Sequence, residues 1–291
     1  MKWLQLLVGG IITGSIYGLI ALGYVTIYRT SRVVNFAQGS FVMLGSYTTF
    51  LYFTDWKMPF AVSAVLAIIT IIVISLVMYR LIIAPIMKAS LVAMILATIG
   101  ASLIFENLIL IKWGGYPRSI PAFTGGGSVW VGGVALTIQG LWIIGVTVVL
   151  LVVLYLFTNH TWTGKKMTAT ASDPTAASLS GIYTNRMVLL AFAISAAIGA
   201  IAGICTGSLM PISYASGAVF GLDGFVAAIL GGWGSTSGAV VGGLVLGICE
   251  SLATGAFPAG YKSAVAFVLL LLILYFRPTG ILGRTIEEGG R

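Results

Sequence analysis

Five polar or ionisable side chains lie within or at the start of apolar sequence: Asn35, Gln38, Glu106, Asp223 and Glu250. Hydrocarbon solvates such groups poorly, so each must find a partner or a wet cavity. What is missing limits the chemistry they can do. The one histidine, His160, sits in a polar stretch beside Asn159 and Thr161. It reads as a surface residue, and one histidine cannot build a His-rich metal site. Cys205 and Cys249 form no metal or redox motif and read as buried thiols. Gly164-Lys165-Lys166 lacks the upstream glycine and the Ser or Thr of a phosphate-binding loop, so the chain has no visible means of hydrolysing ATP. Gly231-Gly232-Trp233-Gly234-Ser235 is not a Gly-x-Ser-x-Gly elbow, and no apolar segment holds a histidine to activate a serine. The sequence therefore points to no catalytic residue, metal or cofactor. Binding and passage are the chemistry these residues can do.

The elements that must position them are set by the solvent. Of 291 residues, 59% are hydrophobic and only 8% charged, where soluble proteins use roughly a quarter. The expected fold is an all-α integral membrane bundle, a single domain over residues 1–291. A spanning helix needs about 20 apolar residues. Such segments are read at 3–28, 36–53, 60–79, 90–113, 136–157, 187–210, 218–232, 238–256 and 262–277. The pair 218–232 and 238–256 is interrupted by Gly231, Gly232, Gly234 and Gly238, and reads as two crossings or as one crossing plus a re-entrant half-helix. The total is thus eight or nine. The first apolar run is too long for a cleavable signal peptide and is expected to stay as a spanning helix.

The net charge of +8 does not indicate nucleic acid, because the basic residues are scattered between apolar segments. They read as orientation signals. Arg29 and Arg32, Arg80 and Lys88, Lys165, Lys166 and Arg186, and Arg277, Arg284 and Arg291 make up ten of the fifteen basic residues. Nine crossings place all four groups on the cytoplasmic side, with the N-terminus outside and the C-terminus inside. Eight would put the C-terminal arginines outside, so nine is favoured.

Two connections stand out. Residues 114–135, rich in Gly, Pro and Ser, read as an outer surface loop without a core of its own. The cytoplasmic loop 158–186 holds a short helix, with Asp173 as its cap, Pro174 at its first position and Gly181 just past its end. Ala176, Ala177 and Leu179 give it an apolar face. That face suits docking on a partner better than a solvated connector, which would carry Lys or Glu.

Glycines recur four apart as Gly10, Gly14 and Gly18, as Gly199, Gly203 and Gly207, as Gly238 and Gly242, and as Gly243 and Gly247. Such stripes let helix backbones approach closely. Asn35-Phe36-Ala37-Gln38-Gly39 and Gly221-Leu222-Asp223-Gly224 each open a short, glycine-marked segment. Paired segments of this kind point to broken helices beside a permeation path. Helix capping at the membrane edge is the other reading for Asn35 and Asp223. Glu106 reads as an inter-helix hydrogen bond, and Glu250 carries no assigned role. Residues 39–45 resemble 224–231, which raises an internal repeat.

The run Gly14-Ser15-Ile16-Tyr17-Gly18-Leu19-Ile20-Ala21-Leu22-Gly23-Tyr24, then Asn35 to Gly39, resembles the opening of branched-chain amino acid ABC permeases. Asp223-Gly224-Phe225-Val226-Ala227-Ala228-Ile229-Leu230-Gly231-Gly232 and the ending Arg277 to Arg284 are similar again, in the same order along nearly the whole chain. The similarity is to the shorter of the two permeases such systems pair. It implies a bacterial inner-membrane importer for small amino acids. Its partners would be a second permease as a heterodimer, two cytoplasmic ATPase subunits and a periplasmic or lipid-anchored solute-binding protein. Relatives also carry urea or short amides. The residues expected to line the path are Asn35, Phe36, Gln38, Gly39 and Phe41 with Asp223, Gly224 and Phe225. Those expected to couple to the ATPase are Asp173, Pro174, Ala176, Ala177, Leu179 and Gly181, with Thr175 replacing the family's usual acid. A secondary transporter or channel would also explain the broken helices, but not the capped apolar cytoplasmic helix. A membrane-embedded enzyme lacks a reactive pair.

Overall fold

The computed structural model describes residues 2–87, 89–131, 133–258 and 261–283. Lys88, Arg284 and Arg291, used above to orient the chain, lie outside the described residues. Within them the fold is almost wholly helical. The helices are α1 (Lys2–Ser31), α2 (Gln38–Phe50, continued by a π turn Leu51–Asp55), α3 (Phe60–Met78, followed by a π turn Tyr79–Ile83), α4 (Ala84–Ile86) and α5 (Leu91–Trp113). Next come α6 (Ile138–His160), α7 (Trp162–Ser172), α8 (Pro174–Leu179), α9 (Thr184–Gly207), α10 (Ser216–Gly231), α11 (Thr236–Ala256) and α12 (Lys262–Phe276). Six helices are long and apolar enough to cross a membrane: α1, α3 through α4, α5, α6, α9 and α11. Helices α10 and α12 are apolar but shorter.

The outer helices are turned inside out relative to a soluble protein. On α3 the exposed side carries Val62, Val65, Ile69, Val73 and Val77, while Ser63, Ala67, Ile71, Ser75 and Met78 face inward. Lipid is as apolar as valine, so burial there selects small residues and internal hydrogen bonds. Ser75 Oγ accordingly donates to the Phe192 carbonyl on α9 at 3.1 Å.

Helix α1 is the hub, and the expected glycine stripes set its packing. A Cβ on Gly14 would lie 2.7 Å from Leu244 Cα, and one on Gly243 or Gly247 would run into the backbone of Gly18 or Gly14. Helices α1 and α11 therefore touch backbone to backbone. Gly203 of α9 does the same against Val42 of α2, and Gly242 of α11 against Ala227 and Gly231 of α10.

Between α1 and α2 the chain leaves helical geometry while buried, with Val33, Asn35 and Ala37 at 2%, 1% and 0% exposure. Irregular backbone at such depth must be satisfied by protein. Phe36 N donates to Thr98 Oγ1, Ala37 N to Asn35 Oδ1 and Gln38 N to the Asn35 carbonyl. At its far end α10 stops at Gly232 (φ +108°), and the segment that follows α12 closes it: Ile281 N and Leu282 N donate to the carbonyls of Leu230 and Gly231. This gives the Pro-Thr-Gly-Ile-Leu-Gly ending a structural task.

Three sequence readings need correction. Residues 114–135 are not a bare surface loop. Ser128–Val131 (β1) and Val134–Thr137 (β2) pair antiparallel, and Ile120 is 3% exposed with its N–H donating to the Gly207 carbonyl. The span 158–186 holds two helices rather than one, because Thr161 caps α7 through Gly164 N. Asp223 lies in the middle of α10 and so caps nothing.

Candidate functional site

Helices α2 and α10 cross where Gly39 meets Gly217 and Gly221, so closely that no Cβ fits on Gly39. The crossing brings together three of the expected path residues, Gly39 with Phe36 and Phe225. Phe36 and Phe225 stack at 5.1 Å, both half-buried. Tyr24, fully buried, lies 6.4 Å from Phe36, 6.2 Å from Phe225 and 6.4 Å from Trp233, and Tyr28 adds a contact to Trp233 at 5.0 Å. The Tyr24 hydroxyl donates to the Gly221 carbonyl at 2.9 Å, which pins α1 to the crossing. An aromatic wall thus stands at the junction of α1, α2 and α10.

The other expected path residues do not converge on it. Gln38 is fully buried and turned to α9: its Nε2 donates to the Ser195 carbonyl, and its Oε1 accepts from Ser195 Oγ at 2.6 Å. Phe41 packs beside Gly199 and Phe105. Gly224 gives room to Ile20. Asn35 Oδ1 serves Ala37 N, while its Nδ2 is buried with no partner among the described residues.

Asp223 points into a polar cluster that sequence reasoning missed. On α11, Glu250 is 1% exposed, and its Oε2 accepts from the Tyr17 hydroxyl at 2.8 Å and lies 3.4 Å from Lys262 Nζ. Asp223, 7% exposed on α10, adds its charge to the field around the same hydroxyl and ammonium. Lys262 also sits 5.5 Å over the Tyr17 ring. Four helices meet here, and only α12, which begins at Lys262, brings a cation. Nothing in the spacing along the chain links Tyr17 to residues more than two hundred positions away. A smaller chain runs Ser40 to Ser102 to Glu106, at 2.7 and 3.4 Å; Ser40–Ser102 joins α2 to α5, whereas the bond Glu106 accepts from Ser102 lies within α5 rather than between helices.

The short helix α8 has the local geometry its residues dictate. Asp173 Oδ1 accepts from Thr175 N and Ala176 N at 2.8 and 3.0 Å, Pro174 opens the helix, and Gly181 takes φ +80°. Leu179 is 86% exposed, whereas Ala177 is 5% exposed. The helix therefore presents leucine outward and anchors itself through alanine. Beside Tyr28 and Trp233 of the aromatic wall, a cavity of ≈ 530 Å³ is lined by α1, α6, α7, the α10–α11 turn and Leu282.

Residues 6–274 match the family described as Branched-chain amino acid transport system / permease component. The chain is 36% identical to the high-affinity branched-chain amino acid transport system permease protein BraD of Pseudomonas aeruginosa, over 98% of this chain and 97% of that one. It is 34% identical to the corresponding protein LivH of Escherichia coli, over 99% and 98%. Among solved structures, PsaBC from Streptococcus pneumoniae in complex with Fab matches with a TM-score of 0.53 at 13% identity, covering 96% of this chain and 93% of that one. That likeness concerns the fold alone.

Proposed function

The chain belongs to the branched-chain amino acid transport permease family, and from that premise we propose the following working arrangement. It is the membrane-spanning subunit, a single domain, of an importer in the bacterial inner membrane that moves branched-chain amino acids with ATP hydrolysed by partner subunits. A second permease pairs with it, two ATPase subunits dock on its cytoplasmic face, and a binding protein delivers solute from outside. The observation that carries the energy-coupling part is α8: a capped helix anchored through Ala177, with Leu179 bare to solvent. An isolated leucine at such exposure gains only by being covered.

Nine crossings with the N-terminus outside and the C-terminus inside fit the charge distribution. The joint lining of the cavity by Thr168, Ser172 and Leu282 supports placing α7 and the segment that follows α12 on one side. Solute passes along the α2–α10 crossing, where Phe36 and Phe225 form an apolar constriction and Asn35 supplies polarity, while Asp223 acts on the path from the neighbouring cluster of Tyr17 and Glu250. Gln38, Gly39, Phe41 and Gly224 hold that crossing in place. Weak, largely apolar contact suits an aliphatic side chain that must leave as easily as it enters. The paired α2 and α10 are read as the counterparts of an internal repeat. Affinity capture tests the assembly: the tagged chain should retain its ATPase subunits in detergent, and L179E should release them while keeping its own melting behaviour. Retention by L179E removes α8 from the docking surface.

A further inference from the structure

We propose that the cavity between α1, α6, α7 and the α10–α11 turn is a binding site for the phosphate of a phospholipid headgroup. The pocket, ≈ 530 Å³, is lined by Arg29 and Arg32 and, among the described residues, by no acidic one. Arg29 Nη1 donates only to Thr236 Oγ1, at 2.8 Å, and Arg32 Nε to the Ala171 carbonyl, at 3.4 Å. Neither guanidinium has a carboxylate within ion-pair distance among the described residues, where the recorded pair is Lys262 with Glu250. Asp173, beside the lining residue Ser172, turns Oδ1 to the start of α8 instead. Two guanidinium groups with spare donors match the oxygens of a phosphate.

The surroundings select a lipid over a free anion. The volume exceeds what one phosphate group fills. Tyr28, Tyr155 and Trp233 line the same pocket, and Tyr and Trp gather at headgroup level in membranes. Val148, Val152 and Tyr155 share one face of α6 and are 52%, 49% and 50% exposed. That apolar strip runs down to the pocket and gives an acyl chain a path. The proposal needs only that this end of the bundle meets a leaflet surface. It does not depend on the transport reading.

The test is native mass spectrometry of the full chain in detergent, titrated with short-chain phosphatidylglycerol, with diacylglycerol of equal chain length and with inorganic phosphate. Phosphatidylglycerol should bind, diacylglycerol should not, and inorganic phosphate should fail to displace the lipid. R29Q and R32Q should each weaken lipid binding roughly fivefold, while K112Q, at the other end of α5, should leave it unchanged. Equal binding of diacylglycerol, displacement by inorganic phosphate, or undiminished binding by the folded double variant R29Q/R32Q would each overturn the assignment. If the glutamine variants do not fold, the three-ligand competition on the unmodified chain decides alone.

Discussion

Glu250 and Lys262 lie 3.4 Å apart, one at 1% exposure deep in α11 and the other heading the short helix α12. This ion pair helps fasten α12, which fully buries only Ala266 and packs Leu269, Leu270 and Ile273 half-buried on the bundle. Stranding one member of a buried pair costs about 3–5 kcal/mol. Partial exposure of Lys262 screens the pair, and about 1–2 kcal/mol is expected here. K262M should therefore lower the melting temperature in detergent, and E250Q/K262M should recover part of the loss. A double variant no more stable than K262M would show that the pair is not coupled.

The α1–α11 contact is set by backbone proximity. G14A puts a methyl 2.7 Å from Leu244 Cα, so the helices must separate. Overpacking of this kind costs about 1–3 kcal/mol. G100A, in α5, meets nothing within 4 Å and should stabilise by about 0.5–1 kcal/mol through helix propensity. Thermal unfolding of both variants in one detergent checks the contrast.

The apolar runs that form the six long helices and the glycine stripes were legible because lipid forces long apolar runs and close packing forces small residues. The caps of α8 were legible for the same local reason, since Asp173, Pro174 and Gly181 act on their own neighbours. The site was only partly legible. Phe36 and Phe225 were found through the glycines beside them, but Tyr24 and Trp233, which complete the wall, look like ordinary membrane aromatics. Gln38 was read as a path residue because it is polar, whereas its partner is Ser195, 157 positions away. Glu250 and Lys262 needed the tertiary fold to acquire each other.

On α8 the two neighbouring alanines and the leucine should behave differently. A176E and L179E change exposed positions and should leave melting unchanged while lowering coupled transport about tenfold or more, the size of an interface hot spot. A177E places a charge at a position 5% exposed and should destabilise the chain itself. Melting curves beside transport assays separate the two classes.

N35A, beside the crossing, and D223N, in the neighbouring polar cluster, should reduce transport with assembly and basal ATPase activity intact. F225A removes one side of the 5.1 Å Phe36–Phe225 stack and should raise solute leak in the absence of ATP. Loss of assembly in N35A or D223N would mean that these groups only hold the fold.

The most direct measurement is solute uptake into proteoliposomes holding the chain with its second permease, ATPases and binding protein, with leucine, isoleucine, valine, urea and acetamide compared in the presence and absence of ATP. The account predicts ATP-dependent accumulation of the three amino acids, lost on omitting the ATPases. Uptake that proceeds equally without ATP, or that serves urea or acetamide and not the amino acids, would contradict it.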